Sequence, residues 1–139
     1  MGGRLPILVP AAVLALTLGL AACGGSSEDK QAVKKRVEGF QAALGANDPA
    51  KVCGALTKTR RGTLTRQARG AKNCGEAMRV AFVVQGGAFK NAGKAEVKDV
   101  RIDGENASAS VTYGGRRADV TLSKEGGRWL ISGFGRRGR

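Results

Sequence analysis

The chain has no histidine and only three cysteines among its 139 residues. Ser-His and Cys-His nucleophile pairs are therefore excluded, because the base that activates the nucleophile is missing. Zinc and haem sites are excluded for a similar reason, because the chain has no imidazole ligand and no second cysteine pair. No glycine-rich loop precedes Lys-Ser or Lys-Thr at phosphate-binding spacing, and no carboxylate pair suited to glycoside cleavage stands out. We expect a non-catalytic chain with no cofactor, no metal site and no catalytic residue.

Acidic residues are also scarce, with 11 Asp and Glu against 24 Lys and Arg, so the formal net charge is +13. A balance this basic suggests a polyanionic partner, either nucleic acid or an anionic surface. The alternative is compositional: arginines scattered through a chain rich in Ala, Gly and Arg solvate its surface and recognise nothing. Charge alone does not decide between these two interpretations.

An apolar run from Leu5 to Leu20 follows Arg4 and ends in Leu20-Ala21-Ala22-Cys23. A positive start, an apolar stretch and small residues at the cleavage point are typical of a secretion signal. A cysteine directly after them is typical of a bacterial lipobox. The sequence therefore predicts a signal peptide at residues 1–22 and an acylated Cys23 as the first mature residue.

Two other interpretations compete with the lipobox. An uncleaved spanning helix needs about 20 apolar residues, but Pro6 and Pro10 interrupt the run and Gly24-Gly25-Ser26-Ser27 ends it. Alternatively, Cys23 is a chance thiol in a signal that another peptidase removes. The first is disfavoured by those breaks, and the second stays open.

Acylation of Cys23 would anchor the protein to a cell membrane on its extracytoplasmic face. One acyl chain holds a protein marginally and two or three hold it stably, since each buried methylene contributes about 0.8 kcal/mol. Export also removes the chain from cytoplasmic nucleic acid, which leaves anionic lipid, an envelope polymer or an envelope protein as expected partners. Loss of 22 of the 139 residues leaves 117, enough for one domain with its own core.

Cys53 and Cys74 are the remaining cysteines, an even pair in a chain expected to be exported. An oxidising compartment favours a disulfide between them. In the chain-entropy model, closing a loop of this length contributes roughly 3 kcal/mol. Two unpaired buried thiols are the alternative.

Helical periodicity follows a lipidated tether at residues 23–29. Ser26 and Asp29 stand at capping-box spacing, and Gly45 is expected as a left-handed C-cap. Between them, apolar residues recur at steps of four, three and four, which predicts an amphipathic helix; they are Val33, Val37, Phe40 and Leu44.

Two further helices are predicted from the capping residues at their N-termini. Asp48-Pro49 predicts a short helix with Val52, Cys53 and Leu56 on one face. Asn73 predicts the cap of a later helix through Met78, Ala81 and Phe82, which the glycine pair Gly86-Gly87 should end.

The segment between these helices, Thr57 to Gly75, contains six basic residues and no acidic one. One interpretation is a solvated loop with a single helical turn around Leu64, and the other is a polyanion-binding face. The candidate anion-binding residues are Lys58, Arg60, Arg61, Arg66, Arg69 and Lys72.

From Lys94 onward the hydrophobic period changes to two, and glycine-containing turns separate the segments. We expect four antiparallel strands in a meander, with a bulge near Lys98-Asp99 in the first. The apolar face of this sheet must be covered by the helices, so the expected fold is α+β. The domain should span residues 30–135, with a frayed basic tail at 136–139.

This order of elements, with Asn47-Asp48-Pro49, the two cysteines and the closing Gly126-Gly127-Arg128-Trp129-Leu130-Ile131, resembles the nuclear transport factor 2-like superfamily. More narrowly, it is similar to small actinobacterial lipoproteins of that class. The resemblance covers roughly residues 29–134. It implies a curved sheet wrapped around helices, with a conical pocket whose mouth binds a hydrophobic small molecule or an envelope partner.

The resemblance also implies where a pocket would lie and what a catalytic member would need. The candidate pocket residues are Phe40, Phe82, Val111, Tyr113 and Trp129. The isomerase branch uses a pocket carboxylate as base and a tyrosine or protonated acid as hydrogen-bond donor. Tyr113 is the one candidate donor, and no base is evident. The simpler interpretation makes Tyr113 and Trp129 core or rim residues.

Overall fold

The computed structural model describes residues 25–136. Helices occupy the first part of this range: α1 (Ser27–Gly45), α2 (Pro49–Gly54), α3 (Lys58–Gln67), α4 (Cys74–Phe89) and a 3₁₀ turn at Ala92–Lys94. Strands follow as β1 (Glu96–Asp103), β2 (Asn106–Tyr113), β3 (Arg116–Glu125) and β4 (Arg128–Arg136). The predicted α+β arrangement, helices first and a four-stranded antiparallel sheet after them, is confirmed.

The sheet is a meander in the order β1-β2-β3-β4, with all neighbours antiparallel. Two of its hairpins turn on glycine pairs, Gly114-Gly115 and Gly126-Gly127, and all four of these residues have positive φ. Turns of this kind need left-handed backbone at both central positions and match the twist of the strands they join. The predicted hairpin positions are therefore confirmed.

Two bulges shape the sheet. The register of β1 against β2 shifts between Lys98 and Arg101, where Asp99 adopts a φ of 52°, so the predicted bulge is confirmed. A second shift in β3 against β4 leaves Ser132 as an extra residue, because Ile131 pairs with Leu122 and Gly133 pairs with Thr121. That extra residue changes which side chains of β4 share a face.

Side-chain caps begin the helices where the sequence predicts them. Ser26, Asp48 and Asn73 each accept a hydrogen bond from the backbone N–H three residues later, at 3.0 Å in every case. Such caps satisfy amide groups that lack an intrahelical partner. The first turns of α1, α2 and α4 are thereby fixed.

Three details of the helix prediction are wrong. Gly45 is the last residue of α1, and the left-handed backbone comes two residues later at Asn47, with a φ of 53°. The glycine pair Gly86-Gly87 does not end α4, which continues to Phe89. The basic segment forms the ten-residue helix α3 instead of one turn around Leu64, because Thr57 caps it by accepting from the amide of Arg60.

The core lies between α1 and the inner face of the sheet. The predicted apolar stripe of α1 is buried there, with Val33 and Val37 fully covered. Val120, Leu122 and Ile131 supply the sheet side of the contact and are also fully covered. Leu56 belongs to this core too, but it lies beyond the end of α2 and pairs with Ile131 on the edge of β4.

The first described residues already belong to the domain. Helix α1 begins at Ser27, so the last three residues of the predicted tether lie inside it. Gly25 has a φ of 74°, and a Cβ built there would lie 2.5 Å from Cβ of Ile102. At the other end, Arg136 belongs to β4 and pairs with Ala118.

The predicted signal peptide, the lipidation site Cys23 and the end of the basic tail at 137–139 lie outside the described residues. Within residues 25–136, no helix combines the length and the apolar character needed to cross a membrane.

Candidate functional site

An apolar groove of about 510 Å³ lies where the four helices meet the end of β4. We call it the helical groove. Its volume falls within the range of about 300–1,000 Å³ that small-molecule sites occupy. It is lined by Phe40, Gln41, Leu44, Val52, Leu56, Leu64, Gln67, Met78, Ala81, Gln85, Phe89 and Phe134.

One wall of the helical groove joins α1 to β4 through two aromatic rings. The centroids of Phe40 and Phe134 are 5.4 Å apart, with the ring planes tilted by 31°. Phe40 is buried whereas Phe134 is 44 % exposed. An aromatic pair at this distance is stabilising, so Phe134 is held in place while part of its ring still faces the groove.

The disulfide between Cys53 and Cys74 joins α2 to the first residue of α4. The predicted pairing is confirmed. Val52 lies beside Cys53 and Met78 lies one turn after Cys74, and both line the helical groove. The disulfide therefore fixes two helices that supply its walls.

Helix α4 carries exposed apolar residues next to the groove. Val80, Val83 and Val84 are 50 %, 88 % and 73 % exposed. A shallower depression between α3 and α4 is lined by Val80 and Val84, and it shares Leu64, Met78 and Ala81 with the helical groove. The apolar surface thus continues from the groove onto the exposed side of α4.

The residues that line the helical groove include no Asp, Glu, Lys, Arg or Tyr. Their polar members are three uncharged amides, Gln41, Gln67 and Gln85. At the rim, the guanidinium carbon of Arg60 on α3 lies 5.4 Å from the centroid of the Phe134 ring. The helical groove is therefore apolar, with three amides in its lining and a guanidinium at its rim.

Most of the candidate pocket residues do not meet in this groove. Phe40 lines it, whereas Val111 and Trp129 are buried core residues that are 6 % and 4 % exposed. Phe82 packs edge-on against Phe89, with centroids 5.8 Å apart. Tyr113 lies at the end of β2, is 38 % exposed and does not line the groove.

The candidate anion-binding residues are divided between structural and exposed positions. Arg61 donates from Nη1 to the backbone oxygens of Cys53 and Leu56, at 3.4 and 3.2 Å, and so caps the end of α2. Arg66 is exposed and donates to Oγ1 of Thr63 at 3.2 Å. Lys58, Arg69 and Lys72 are exposed. The six residues therefore do not form one uncommitted cationic face.

The carboxylate of Asp99, at the bulge of β1, is engaged in an ion pair and a hydrogen bond. Asp99 accepts from Oγ of Ser110 at 3.0 Å and forms an ion pair with Arg117. The Ser110 hydrogen bond and the Arg117 charge hold the pKa of Asp99 below its usual range. A lowered pKa makes a carboxylate a weaker general base. Strand alternation also puts Tyr113 on the sheet face opposite Ser110.

Sequence reasoning missed Phe134, Leu64 and Phe89 as groove residues. Phe134 shares a face with Ile131 because the bulge at Ser132 restores its alignment with Val120. Strict alternation from Ile131 would have turned Phe134 to the other face. Leu64 reaches the groove because the basic segment is a full helix, α3, instead of a loop with one helical turn.

Comparisons of the chain with protein-family models, with curated proteins and with solved structures find no match.

Proposed function

We propose that this chain is a lipid-anchored, non-catalytic domain that holds a hydrophobic small molecule in the helical groove. The observation that carries the proposal is the uncharged lining of a groove of about 510 Å³. Small-molecule sites are mostly apolar and use a few polar groups to orient the ligand. Here the amides of Gln41, Gln67 and Gln85 fill that role.

The same observation separates this function from the acid/base alternative. An isomerase or dehydratase site requires a base and a donor within reach of one substrate. Tyr113 is outside the groove, and the carboxylate of Asp99 is paired with Arg117. The groove geometry therefore favours binding over catalysis.

We further propose membership of the nuclear transport factor 2-like superfamily, with Cys23 as the acylated anchor on the extracytoplasmic face of the membrane. The order of helices before a bulged antiparallel meander supports the family. Two residue steps separate Cys23 from Gly25, which packs against Ile102, and they span at most about 7 Å. An acylated Cys23 would hold the domain close to the bilayer, where apolar ligands are concentrated.

Photolabelling tests the binding function. The full chain, purified in detergent, is irradiated with a photoreactive long-chain alcohol, and labelled peptides are identified by mass spectrometry. We expect label on the peptides that contain Ala81 and Phe134. Ala81→Trp, which fills the groove, should abolish that label.

Ala50→Phe is the matched control, because it adds an aromatic ring at an exposed position of α2. We expect this variant to label like the wild type. Label spread evenly over the surface, or label that Ala81→Trp does not change, would overturn the proposed function.

A further inference from the structure

Arg60 has an unusual environment at the rim of the helical groove. Its Nε is buried and has no hydrogen-bond partner among the residues that the structure describes. The guanidinium lies over the ring of Phe134, at 5.4 Å from the centroid. The Nη groups of the same guanidinium are not buried in this way, so they are the donors that a ligand at the rim could reach.

Within residues 25–136, Arg60 forms no ion pair with an acidic residue. The segment from Thr57 to Gly75 contains no acidic residue, and the lining of the helical groove contains none either. By contrast, Arg61 on the same helix uses its guanidinium to cap α2, and Arg117 on the sheet pairs with Asp99. The guanidinium of Arg60 is therefore not neutralised by an ion pair, and it lies beside the apolar helical groove.

From this juxtaposition we infer that the ligand of the helical groove is a single-chain anionic amphiphile, whose acidic head binds Arg60 while its hydrocarbon chain occupies the groove. The inference rests on the proposed function. A guanidinium presents its donors in a planar fork that matches the two oxygens of a carboxylate or phosphate. The cation–π contact with Phe134 orients that fork at the rim.

Competition experiments separate head-group recognition from binding of the chain. The full-length protein in detergent is labelled with the photoreactive alcohol, and hexadecanoate, hexadecyl phosphate and hexadecanol compete for the labelled peptides. We expect the anionic competitors to be about tenfold more effective than hexadecanol, because hydrogen bonds to charged groups are stronger than neutral ones. The stronger of the two anions identifies the head group as carboxylate or phosphate.

Variants of α3 test whether Arg60 is responsible for the preference for anionic competitors. Arg60→Gln should weaken competition by hexadecanoate about tenfold and so bring hexadecanoate and hexadecanol to equal effectiveness. Arg60→Lys keeps the charge but lacks the planar fork of donors, so it should retain only part of the preference for anions. Arg66→Gln, the same charge change at an exposed position of the same helix, should retain all of it.

The outcomes distinguish failure of this inference from failure of the proposed function on which it rests. If the groove peptides are labelled but anions have no advantage, or if Arg60→Gln keeps their advantage, the head-group assignment is wrong and the groove still binds apolar chains. If the groove peptides are not labelled at all, the proposed function itself fails.

Discussion

Trp129 donates a hydrogen bond from Nε1 to Oδ1 of Asp29 at 2.9 Å, and so joins β4 to the first turn of α1 across 100 residues of sequence. Lys124 reinforces the contact, because its Nζ lies 3.1 Å from the same oxygen and 5.2 Å from the centre of the Trp129 ring. Ser26 caps the same turn through the amide of Asp29. One carboxylate therefore connects the start of the domain to its last strand.

This contact makes stability depend on pH. The hydrogen bond from Trp129, and then that from Lys124, lowers the pKa of Asp29 below 3.8. A lowered folded-state pKa stabilises the fold above the unfolded value, and the stabilisation is lost as pH falls through the folded one. We expect the free energy of unfolding to fall as the pH drops below about 4, and to fall less in Asp29→Asn. Urea unfolding followed by the fluorescence of Trp129, the single tryptophan, measures it.

Asp103→Asn is the control for this prediction, because Asp103 is an exposed carboxylate at the β1–β2 turn. Comparing it with Asp29→Asn separates loss of the Trp129 contact from loss of one carboxylate. Equal pH dependence in Asp29→Asn and the wild type would contradict the role given to the Asp29–Trp129 contact.

The disulfide should be a large contributor to stability. Cys53 and Cys74 are 21 residues apart, and removing a bridge of this size costs about 2–4 kcal/mol. We expect the double variant Cys53→Ser/Cys74→Ser to lose that amount of unfolding free energy, measured by urea titration, and to bind the photoreactive alcohol less well because α2 and α4 are no longer joined. Two freely alkylated thiols in the oxidised, folded wild type would refute the bridge.

The N-cap of α4 should make a smaller contribution to stability than the disulfide. Oδ1 of Asn73 accepts from the amide of Glu76 at 3.0 Å, and loss of such a cap costs about 1 kcal/mol. Asn73→Ala should lower the unfolding free energy by that amount. Asn91→Ala is the matched control, since Asn91 precedes the 3₁₀ turn without a side-chain cap. A similar loss in both variants would assign the effect to asparagine removal in general.

Anchoring is tested at Cys23. Cells grown with labelled fatty acid should incorporate it into the wild-type protein and not into Cys23→Ala, which should accumulate unprocessed or be shed. If acyl chains supply the membrane affinity, any variant protein that is shed should be absent from the membrane fraction. Wild-type protein recovered in solution without label would contradict the anchor.

The sequence predicted the features that depend on local chemistry. Capping residues such as Asn73, glycine pairs such as Gly114-Gly115, and the bulge near Asp99 each follow from backbone requirements that few residue types meet. The Cys53–Cys74 bridge was also predictable, because only two cysteines follow Cys23.

Features that depend on packing were not predictable in the same way. The glycine pair Gly86-Gly87 weakens a helix, yet α4 continues to Phe89, where an edge-on contact with Phe82 helps to hold the last turn. Phe134 reaches the groove only because β4 bulges at Ser132. Arg60 and Arg61 are neighbours in sequence, but the first lies over an aromatic ring and the second caps a helix. Charge composition does not distinguish such roles.

Native mass spectrometry of the full-length protein, extracted from cells in mild detergent, tests the binding function most directly. We predict a bound adduct with the mass of a single-chain lipid on the wild type and on Ala50→Phe, and none on Ala81→Trp. A wild-type protein without an adduct, or an adduct that survives equally in Ala81→Trp, would contradict the assignment of the helical groove as a ligand site.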